Sequence, residues 1–246
     1  MAISRAVILA AGRGTRLAGA GGALPKGLVD VGGEALVSRS IRQMQARGVS
    51  DIVIVTGYRA DLYDAFAAGR DGLRCVHNPN FEYLGSLESL RCGLLAVKAP
   101  LLVLDSDILY EGRGLDALLA ESCNNAALVS GPTGSGDEYY VWSGWEGRLR
   151  HFSKHLADLT VPPLGEHVGI IKLGPALRMA LLEGIDAQLM AKPYEAYESH
   201  LMALLSVHRM TAAYVRDLAW SEIDTPEMFA TARPVIWPRL KALGDL

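Results

Sequence analysis

Cysteine is scarce in this sequence, with three residues among 246: Cys75, Cys92 and Cys123. Their odd number and wide separation match neither a disulfide framework nor a set of zinc ligands. Proteins of reducing compartments do without disulfides, so we expect a cytoplasmic protein.

Long apolar runs and an excess of one charge are also missing. No stretch approaches the roughly 20 apolar residues that span a bilayer, and the apolar run at 6–11 is shorter than the core of a signal peptide. Lys and Arg total 24 against 27 Asp and Glu, which gives a formal net charge of -3. We therefore expect neither a membrane nor a nucleic acid as a partner, and any anion-binding site must be local.

Apolar residues make up half of the chain, which is enough for a large core. The runs at 51–57 and 100–104 are continuously apolar, as in strands buried on both faces of a parallel sheet. Helical patterns at 36–48, 60–68 and 86–97 alternate with such runs. This rhythm predicts a Rossmann-like, doubly wound α/β fold with a mostly parallel sheet, formed as one domain over residues 1–246.

Several local features are predicted as well. Residues 27–33 are expected to form a short strand closed by a turn, and Ser86 to cap the helix that it begins. Between about 125 and 172, short strands separated by glycine-rich turns predict a small antiparallel insertion at one edge of the sheet. The final helix is expected to begin with Asp224 or Thr225 as its N-cap.

A glycine-rich loop follows the first apolar run, with the sequence Gly12-Arg13-Gly14-Thr15-Arg16-Leu17. Glycine allows a ligand to approach the backbone closely, and the cations suit phosphate. The loop lacks the third glycine of a dinucleotide fingerprint, and residues 18–23 are too glycine-rich to continue as a helix. It also lacks the Gly-Lys-Ser/Thr of a Walker loop, since Lys26 stands between Pro25 and Gly27.

Leu9 to Leu17 followed by Pro25-Lys26 resembles the signature of the nucleotidylyltransferase family that acts on sugar phosphates and phosphocholine, L-A-A-G-x-G-x-R-L and then P-K. Residues 18–23 depart from it, because many relatives carry R-P-L-T there. Residues 78–90 are similar to the phosphocholine and 2-aminoethylphosphonate cytidylyltransferase branch. The resemblance implies the fold of nucleotide-diphospho-sugar transferases and transfer of a nucleotidyl group, with CTP as the expected donor.

The resemblance also assigns roles to individual residues. Arg16 and Lys26 are expected to hold the β- and γ-phosphates, and Lys154 to contact the acceptor phosphate. Asp107 and Asp224 are expected to bind Mg²⁺, which prefers carboxylate and phosphate oxygens; Asp224 has helix capping as an alternative role. The nucleotide contacts implied are Leu9, Ala10, Ala11, Gly12, Gly14, Thr15, Gly57, Gly85 and Ser86.

The acceptor is expected to contact Tyr139, Tyr197 and Glu198, because aromatic rings and carboxylates attract ammonium groups. Packing within the fold is the alternative for the aromatic residues of strands. The activity expected is transfer of a cytidylyl group to a small phosphate or phosphonate, with release of pyrophosphate. A sugar- or polyol-1-phosphate nucleotidylyltransferase and a non-catalytic nucleotide-binding homologue are the alternatives, and a homodimer is possible.

Overall fold

A computed structural model of the chain describes residues 2–17 and 24–245. The strands are β1 (Arg5–Ala10), β2 (Asp51–Thr56), β3 (Leu73–His77), β4 (Leu101–Asp105), β5 (Ile108–Tyr110), β6 (Ala126–Ser130), β7 (Tyr140–Ser143), β8 (Leu149–Ser153), β9 (Gly165–Leu173), β10 (Thr211–Val215) and β11 (Trp220–Glu222). The helices are α1 (Leu36–Gln45), α2 (Ala60–Ala67), α3 (Ser86–Ala96), α4 (Arg113–Ala120), α5 (Pro175–Ala191), α6 (Tyr197–Leu204), α7 (Pro226–Thr231) and α8 (Trp237–Ala242). The glycine-rich stretch at 18–23 lies outside the described residues.

The main sheet has the strand order β10-β6-β9-β4-β1-β2-β3. Neighbouring pairs are parallel except where β9 meets β4 and β6, to which it is antiparallel. β5 and β11 form a separate antiparallel pair. The mostly parallel, doubly wound α/β fold predicted from the sequence is therefore confirmed.

Alternate residues of the central strands enter two different cores. In β1, Val7 and Leu9 face one side of the sheet with α3, α5 and α6, and Ile8 faces the other side with α1, α2 and α4. Both faces are covered because parallel strands are joined by helices that cross over them. A third, smaller core joins Val31 to the C-terminal segment around Leu240.

The segment at 125–172 is organised differently from the predicted edge meander. β6 and β9 are strands of the main sheet, and only the β7–β8 hairpin branches from it, at the start of β9. The reason is visible in β6, whose residues are all buried. A continuously buried apolar run belongs inside a sheet rather than at a half-exposed edge.

Two other local predictions were wrong. Residues 27–33 form no strand: a 3-10 helix spans Lys26–Leu28, and Asp30 pairs with Ala35 only as an isolated bridge. Ser86 does not cap its helix, because its hydroxyl accepts a hydrogen bond from the backbone N–H of Tyr197. Gly85 occupies the cap position instead.

The C-terminal helix begins as one of the two predicted alternatives. Thr225 is the N-cap of α7, and its hydroxyl oxygen accepts a hydrogen bond from the backbone N–H of Met228 at 3.3 Å. Asp224 is thereby left free of capping. Within the described residues, no helix combines the length and the apolar character needed to cross a membrane.

Candidate active site

A cleft of about 420 Å³ lies where the parallel strands end. The carboxyl ends of β1, β4 and β6 lead into its glycine loop, its central carboxylates and the loop that carries Asp137. Because β9 runs in the opposite direction, its first residues reach the same edge, and they bring His167 to the cleft. Ligands of open α/β sheets bind at this edge.

The glycine loop leaves β1 and turns at Gly14, which has a φ of 59°. The backbone N–H of Leu17 donates to the Gly14 carbonyl and closes a 3-10 turn over Thr15–Leu17. A Cβ at Gly14 would lie 2.6 Å from the Cγ of Lys26, whereas a Cβ at Gly12 would have open space. Gly14 therefore lets Lys26 pass close to the loop, and Gly12 leaves backbone exposed to the cleft.

Lys26 is held by the chain around it. Pro25 has a φ of -65°, and its carbonyl accepts a hydrogen bond from the backbone N–H of Leu28. Behind this segment, the buried Tyr63 hydroxyl lies next to Gly27, where an added Cβ would be 2.7 Å from it. Burial raises the pKa of Tyr63. The Lys26 ammonium donates to Asp107 at 3.0 Å and forms an ion pair with Asp224.

Charged side chains of opposite sign alternate across the cleft. Arg16 forms ion pairs with Asp224 and, at 2.8 Å, with Asp137. Asp137 in turn accepts from Lys154. The order across the cleft is Lys154, Asp137, Arg16, Asp224, Lys26 and Asp107, so all three cations predicted from the sequence lie in one row.

One group of carboxylates among the described residues can hold a metal ion. Asp137, Glu222 and Asp224 each offer an oxygen, and these oxygens lie within 4.8 Å of one another. Such an all-oxygen donor set suits a hard divalent cation. The predicted ligand Asp107 is not one of these three residues. The Lys26 ammonium lies between Asp107 and Asp224 and forms an ion pair with each.

The pKa of Glu222 is raised to about 8, first by burial and then by the nearby Asp107, Glu166 and Asp137 carboxylates. The cleft thus concentrates negative charge around this group. A bound cation would relieve that repulsion.

The floor of the cleft carries two further acidic groups. Burial, the Glu198 and Asp107 carboxylates and then Glu222 raise the pKa of Asp105 well above its usual value. Burial raises the pKa of Glu198 to about 7. Gly169, with a φ of 80°, makes room for Asp105, since a Cβ there would lie 2.7 Å from its Oδ2.

The predicted acceptor residues divide into two sets. Tyr139, Lys154 and Glu198 line the cleft, and the Lys154 ammonium lies 5.7 Å from the centre of the Tyr139 ring. Tyr197 does not line it: the side chain is buried, and its hydroxyl lies 3.3 Å from both Asp105 Oδ2 and His167 Nε2. A direct contact between the Tyr197 ring and the acceptor does not agree with this position.

The predicted nucleotide-binding residues also divide. Leu9, Ala10, Ala11, Gly12, Gly14, Gly85 and Ser86 line the cleft. Thr15 is not part of that lining, and Gly57 lies behind the loop, where a Cβ would lie 2.7 Å from the Ala11 carbonyl oxygen and 2.5 Å from Phe81. Gly57 thus supports the loop from behind, as does the Tyr58 backbone N–H, which donates to that carbonyl.

Sequence reasoning missed Asp137, Glu222, Tyr63 and His167, all of which line or border the site. Asp137 carries a signal that was available, because it follows the buried strand β6 through the turn Gly134-Ser135-Gly136, as Asp107 follows β4. Tyr63 and His167 carry no such signal, since they lie within a helix and a strand.

Comparison with known proteins identifies relatives over the whole chain. This chain is 39% identical over 255 residues to a bifunctional IPC transferase and DIPP synthase of Thermococcus kodakarensis. The alignment covers 100% of this chain and 54% of that protein. It is 26% identical to the CMP-5'-(3-aminopropyl)phosphonate synthase of Streptomyces rubellomurinus, covering 90% of this chain and 37% of that one. The chain thus spans about half or less of these relatives.

Solved structures share the fold. The inositol-1-phosphate CTP transferase from T. maritima superposes with a TM-score of 0.76 at 18% identity, covering 96% of this chain and 98% of that one. The CTP:phosphocholine cytidylyltransferase from Streptococcus pneumoniae gives 0.75 at 17% identity, with 97% and 98% covered. Residues 6–158 match the model of the MobA-like NTP transferase domain. With the glycine loop, Lys26 and the sheet edge in place, this match confirms the resemblance seen in the sequence: the chain belongs to the MobA-like NTP transferase domain family.

Proposed function

We propose that this domain transfers a cytidylyl group from CTP to a small acceptor that carries a phosphate or phosphonate, releasing pyrophosphate. The observation that carries the proposal is the row of Arg16, Lys26 and Lys154 beside the glycine loop. Three cations in one cleft suit two phosphate-bearing substrates, and two curated relatives are named as a CMP-phosphonate synthase and a choline-phosphate cytidylyltransferase.

In this proposal, some cleft residues bind the leaving pyrophosphate and others bind the acceptor. Arg16, Lys26 and the backbone N–H groups of the glycine loop bind the β- and γ-phosphates and stabilise the charge on the departing pyrophosphate. Lys154 orients the acceptor. A phosphate monoester has a second pKa of about 6, so the attacking oxygen is already ionised at pH 7 and needs no general base. Catalysis then depends on alignment and on charge neutralisation.

Carboxylates of the cleft hold the metal ion in this proposal. Asp224 and Glu222, with Asp137 or Asp107, supply the oxygen ligands that Mg²⁺ prefers. When bound, the ion supplies positive charge next to the phosphate oxygens.

An amine-bearing acceptor is supported by the floor of the cleft. Glu198 is buried and Asp105 is partly buried, and neither forms an ion pair among the described residues. Buried carboxylates are normally paired, and the ammonium of an acceptor would supply the missing charge. Tyr139 adds a ring face beside them.

A polyol phosphate is the second candidate acceptor. Of the two aromatic residues predicted to contact the acceptor, only Tyr139 lines the cleft, because Tyr197 is buried beneath the floor. The carboxyl groups of Glu198 and Asp105 also form hydrogen bonds with hydroxyls. Two relatives that align with 99% or more of this chain are named bifunctional IPC transferase and DIPP synthase, and one solved structure of the same fold is named an inositol-1-phosphate CTP transferase.

Pyrophosphate release decides between these functions. The four ribonucleotides and dTTP are each combined with phosphocholine, phosphoethanolamine, 2-aminoethylphosphonate, inositol 1-phosphate and glucose 1-phosphate. We expect turnover with CTP and an amine-bearing acceptor; turnover restricted to inositol or glucose phosphate would favour the second candidate. CTP binding without pyrophosphate from any acceptor would instead indicate the non-catalytic homologue.

Glu198→Gln sharpens this experiment. It should raise the KM for the amine-bearing acceptor and leave the KM for CTP unchanged, because Arg16 and Lys26 pair with Asp137, Asp224 and Asp107 rather than with Glu198. Glu183→Gln, an exposed substitution on α5, is the matched control.

A further inference from the structure

Asp137 is the one described side chain that contacts both Arg16 and Lys154. Its Oδ2 accepts from Arg16 at 2.8 Å, and its Oδ1 accepts from the Lys154 ammonium. Asp137 therefore joins a cation of the leaving-group side to the cation of the acceptor side.

The loop that carries Asp137 is fixed at one end and adaptable near the residue itself. Glu166 of β9 accepts hydrogen bonds from both the backbone N–H and the hydroxyl of Thr133. Between Thr133 and Asp137, Gly134 and Gly136 have φ values of 74° and 85°. Glycine crosses between backbone regions at little steric cost, so the end at Asp137 can turn while Glu166 holds the start of the loop.

The other carboxylates of the row are more firmly placed. Asp107 lies between β4 and β5, and Asp224 lies between β11 and the capped start of α7. The hydrogen bond from the Ile223 backbone N–H to the Asp107 carbonyl at 2.8 Å ties these two segments together. Of the three carboxylates in the row, Asp137 is thus the one carried by a glycine-rich loop. The backbone hydrogen bonds next to it stay within the loop, from Gly136 N–H to Glu138 and from Asp137 N–H to the Ser135 hydroxyl.

Two observations support a change of partners by Asp137. Arg16 and Lys154 each pair with the Asp137 carboxylate, whose negative charge competes with a phosphate for them. The Asp137 carboxylate also lies within 4.8 Å of ligand oxygens of Glu222 and Asp224.

We infer that Asp137 is a positioning residue that exchanges partners, leaving Arg16 and Lys154 for the metal ion as the nucleotide binds. This inference rests on the proposed function. It makes metal binding and triphosphate binding mutually dependent through one carboxylate. When Asp137 turns to the metal, Lys154 loses its carboxylate partner and Arg16 loses one of two, so both bind phosphate more readily. Without the metal, Asp137 competes with phosphate for them. The metal ion and the nucleotide phosphates also bind each other directly, and that part of the coupling does not involve Asp137. The role of Asp137 is the additional coupling between metal affinity and nucleotide affinity.

The test compares CTP binding to wild-type protein and to Asp137→Asn by titration calorimetry, in EDTA and in excess MgCl₂. The substitution keeps the side-chain shape but removes the charge, so CTP should bind more tightly than to wild type in EDTA and less tightly in MgCl₂. The ratio of the two affinities should fall about tenfold, within the range typical of coupled sites. Asp217→Asn, an exposed aspartate paired with Arg113, is the matched control and should keep the wild-type ratio.

An unchanged ratio in Asp137→Asn would overturn the inference, and so would an equal loss of affinity in EDTA and in MgCl₂, which would indicate only a disturbed loop. Mn²⁺ binding to the protein in the presence of CTP, measured by electron paramagnetic resonance, should weaken in the variant, and an unaltered Mn²⁺ affinity counts against the inference. Inorganic pyrophosphate can replace CTP in the same titrations, because it tests binding of the phosphates without depending on which nucleobase the site prefers. Failure of the proposed transfer reaction is recognised separately, by absence of product from wild-type protein that still shows the coupling.

Discussion

Lys26 and Asp224 lie near opposite ends of the sequence and form an ion pair with only 17% and 7% of their side chains exposed. Asp224 pairs with Arg16 through its other oxygen. The carboxylate thus holds together the two cations assigned to the triphosphate. Because opposite charges are already positioned in a part-buried cleft, substrate binding requires exchange of partners rather than assembly of the site.

Removing the Lys26 ammonium should impair the chemical step. We expect Lys26→Ala to lose about 3–4 kcal/mol of transition-state stabilisation, as for a single electrostatic donor, because the charge on the leaving pyrophosphate is then less stabilised. The measurement is kcat/KM from pyrophosphate release. Lys241→Ala, on the exposed face of α8, is the control, and wild-type turnover by Lys26→Ala would refute the assignment.

Adjacent residues at the start of α7 should separate stability from activity. Thr225→Ala removes the N-cap hydroxyl and should lower the free energy of unfolding by about 1 kcal/mol while kcat/KM changes little. Asp224→Asn should instead reduce kcat/KM by about 100-fold or more, because the carboxylate lies between two phosphate-binding cations. Urea unfolding and pyrophosphate release measure the two quantities. A large activity loss in Thr225→Ala would mean that the cap, not Asp224, controls the site.

Two glycines of the same loop should respond differently to alanine. Gly12→Ala has open space for its Cβ, so we expect a change in unfolding free energy within about 0.5 kcal/mol but weaker CTP binding, since Gly12 lines the cleft. Gly14→Ala should cost about 1–2 kcal/mol for its left-handed backbone alone, and its Cβ also meets Lys26. Thermal unfolding and CTP titration distinguish the two, and unchanged CTP affinity in Gly12→Ala would exclude a close approach of the nucleotide.

Glu166 should make the stability of the fold depend on pH. Burial raises its pKa to about 7 from an ordinary value of 4.5, against the hydrogen bonds from Thr133. At intermediate pH the folded state therefore holds a proton that the unfolded state has lost. The contribution to stability is fully present below about 4.5 and is lost as the pH rises through about 7.

Glu166→Gln removes this titration, so the decline in unfolding free energy between about pH 5 and pH 8 should become smaller than in wild type. Urea unfolding across that range measures it. Glu146→Gln, in an exposed ion pair with Arg209, should reproduce the wild-type decline. If the unfolding free energy of Glu166→Gln declined with pH as steeply as that of wild type, other titrating groups would be responsible for the pH dependence.

The sequence predicted the elements that a local pattern of apolar residues specifies, and it missed those that depend on particular contacts. Periodicity and the apolar runs predicted β1, β2 and β4 with α1 to α3, because burial on both faces leaves a continuous local pattern. The strand expected at 27–33 failed, because Asp30 accepts from the Gly33 backbone N–H and closes a turn. That choice between strand and turn is not visible in hydropathy alone.

Local patterns were enough to predict the glycine loop as a place for phosphate. The family resemblance added Lys26, Asp107 and Asp224 as site residues, and Asp137 was missed. Which charges meet depended on the folded chain. Folding brought Asp137 between Arg16 and Lys154, buried Tyr197 beneath the floor, and placed Lys26 between two carboxylates. These pairings depend on the order of strands in the sheet and on the reversed direction of β9, which are set by the packing of the whole chain and not by any one segment.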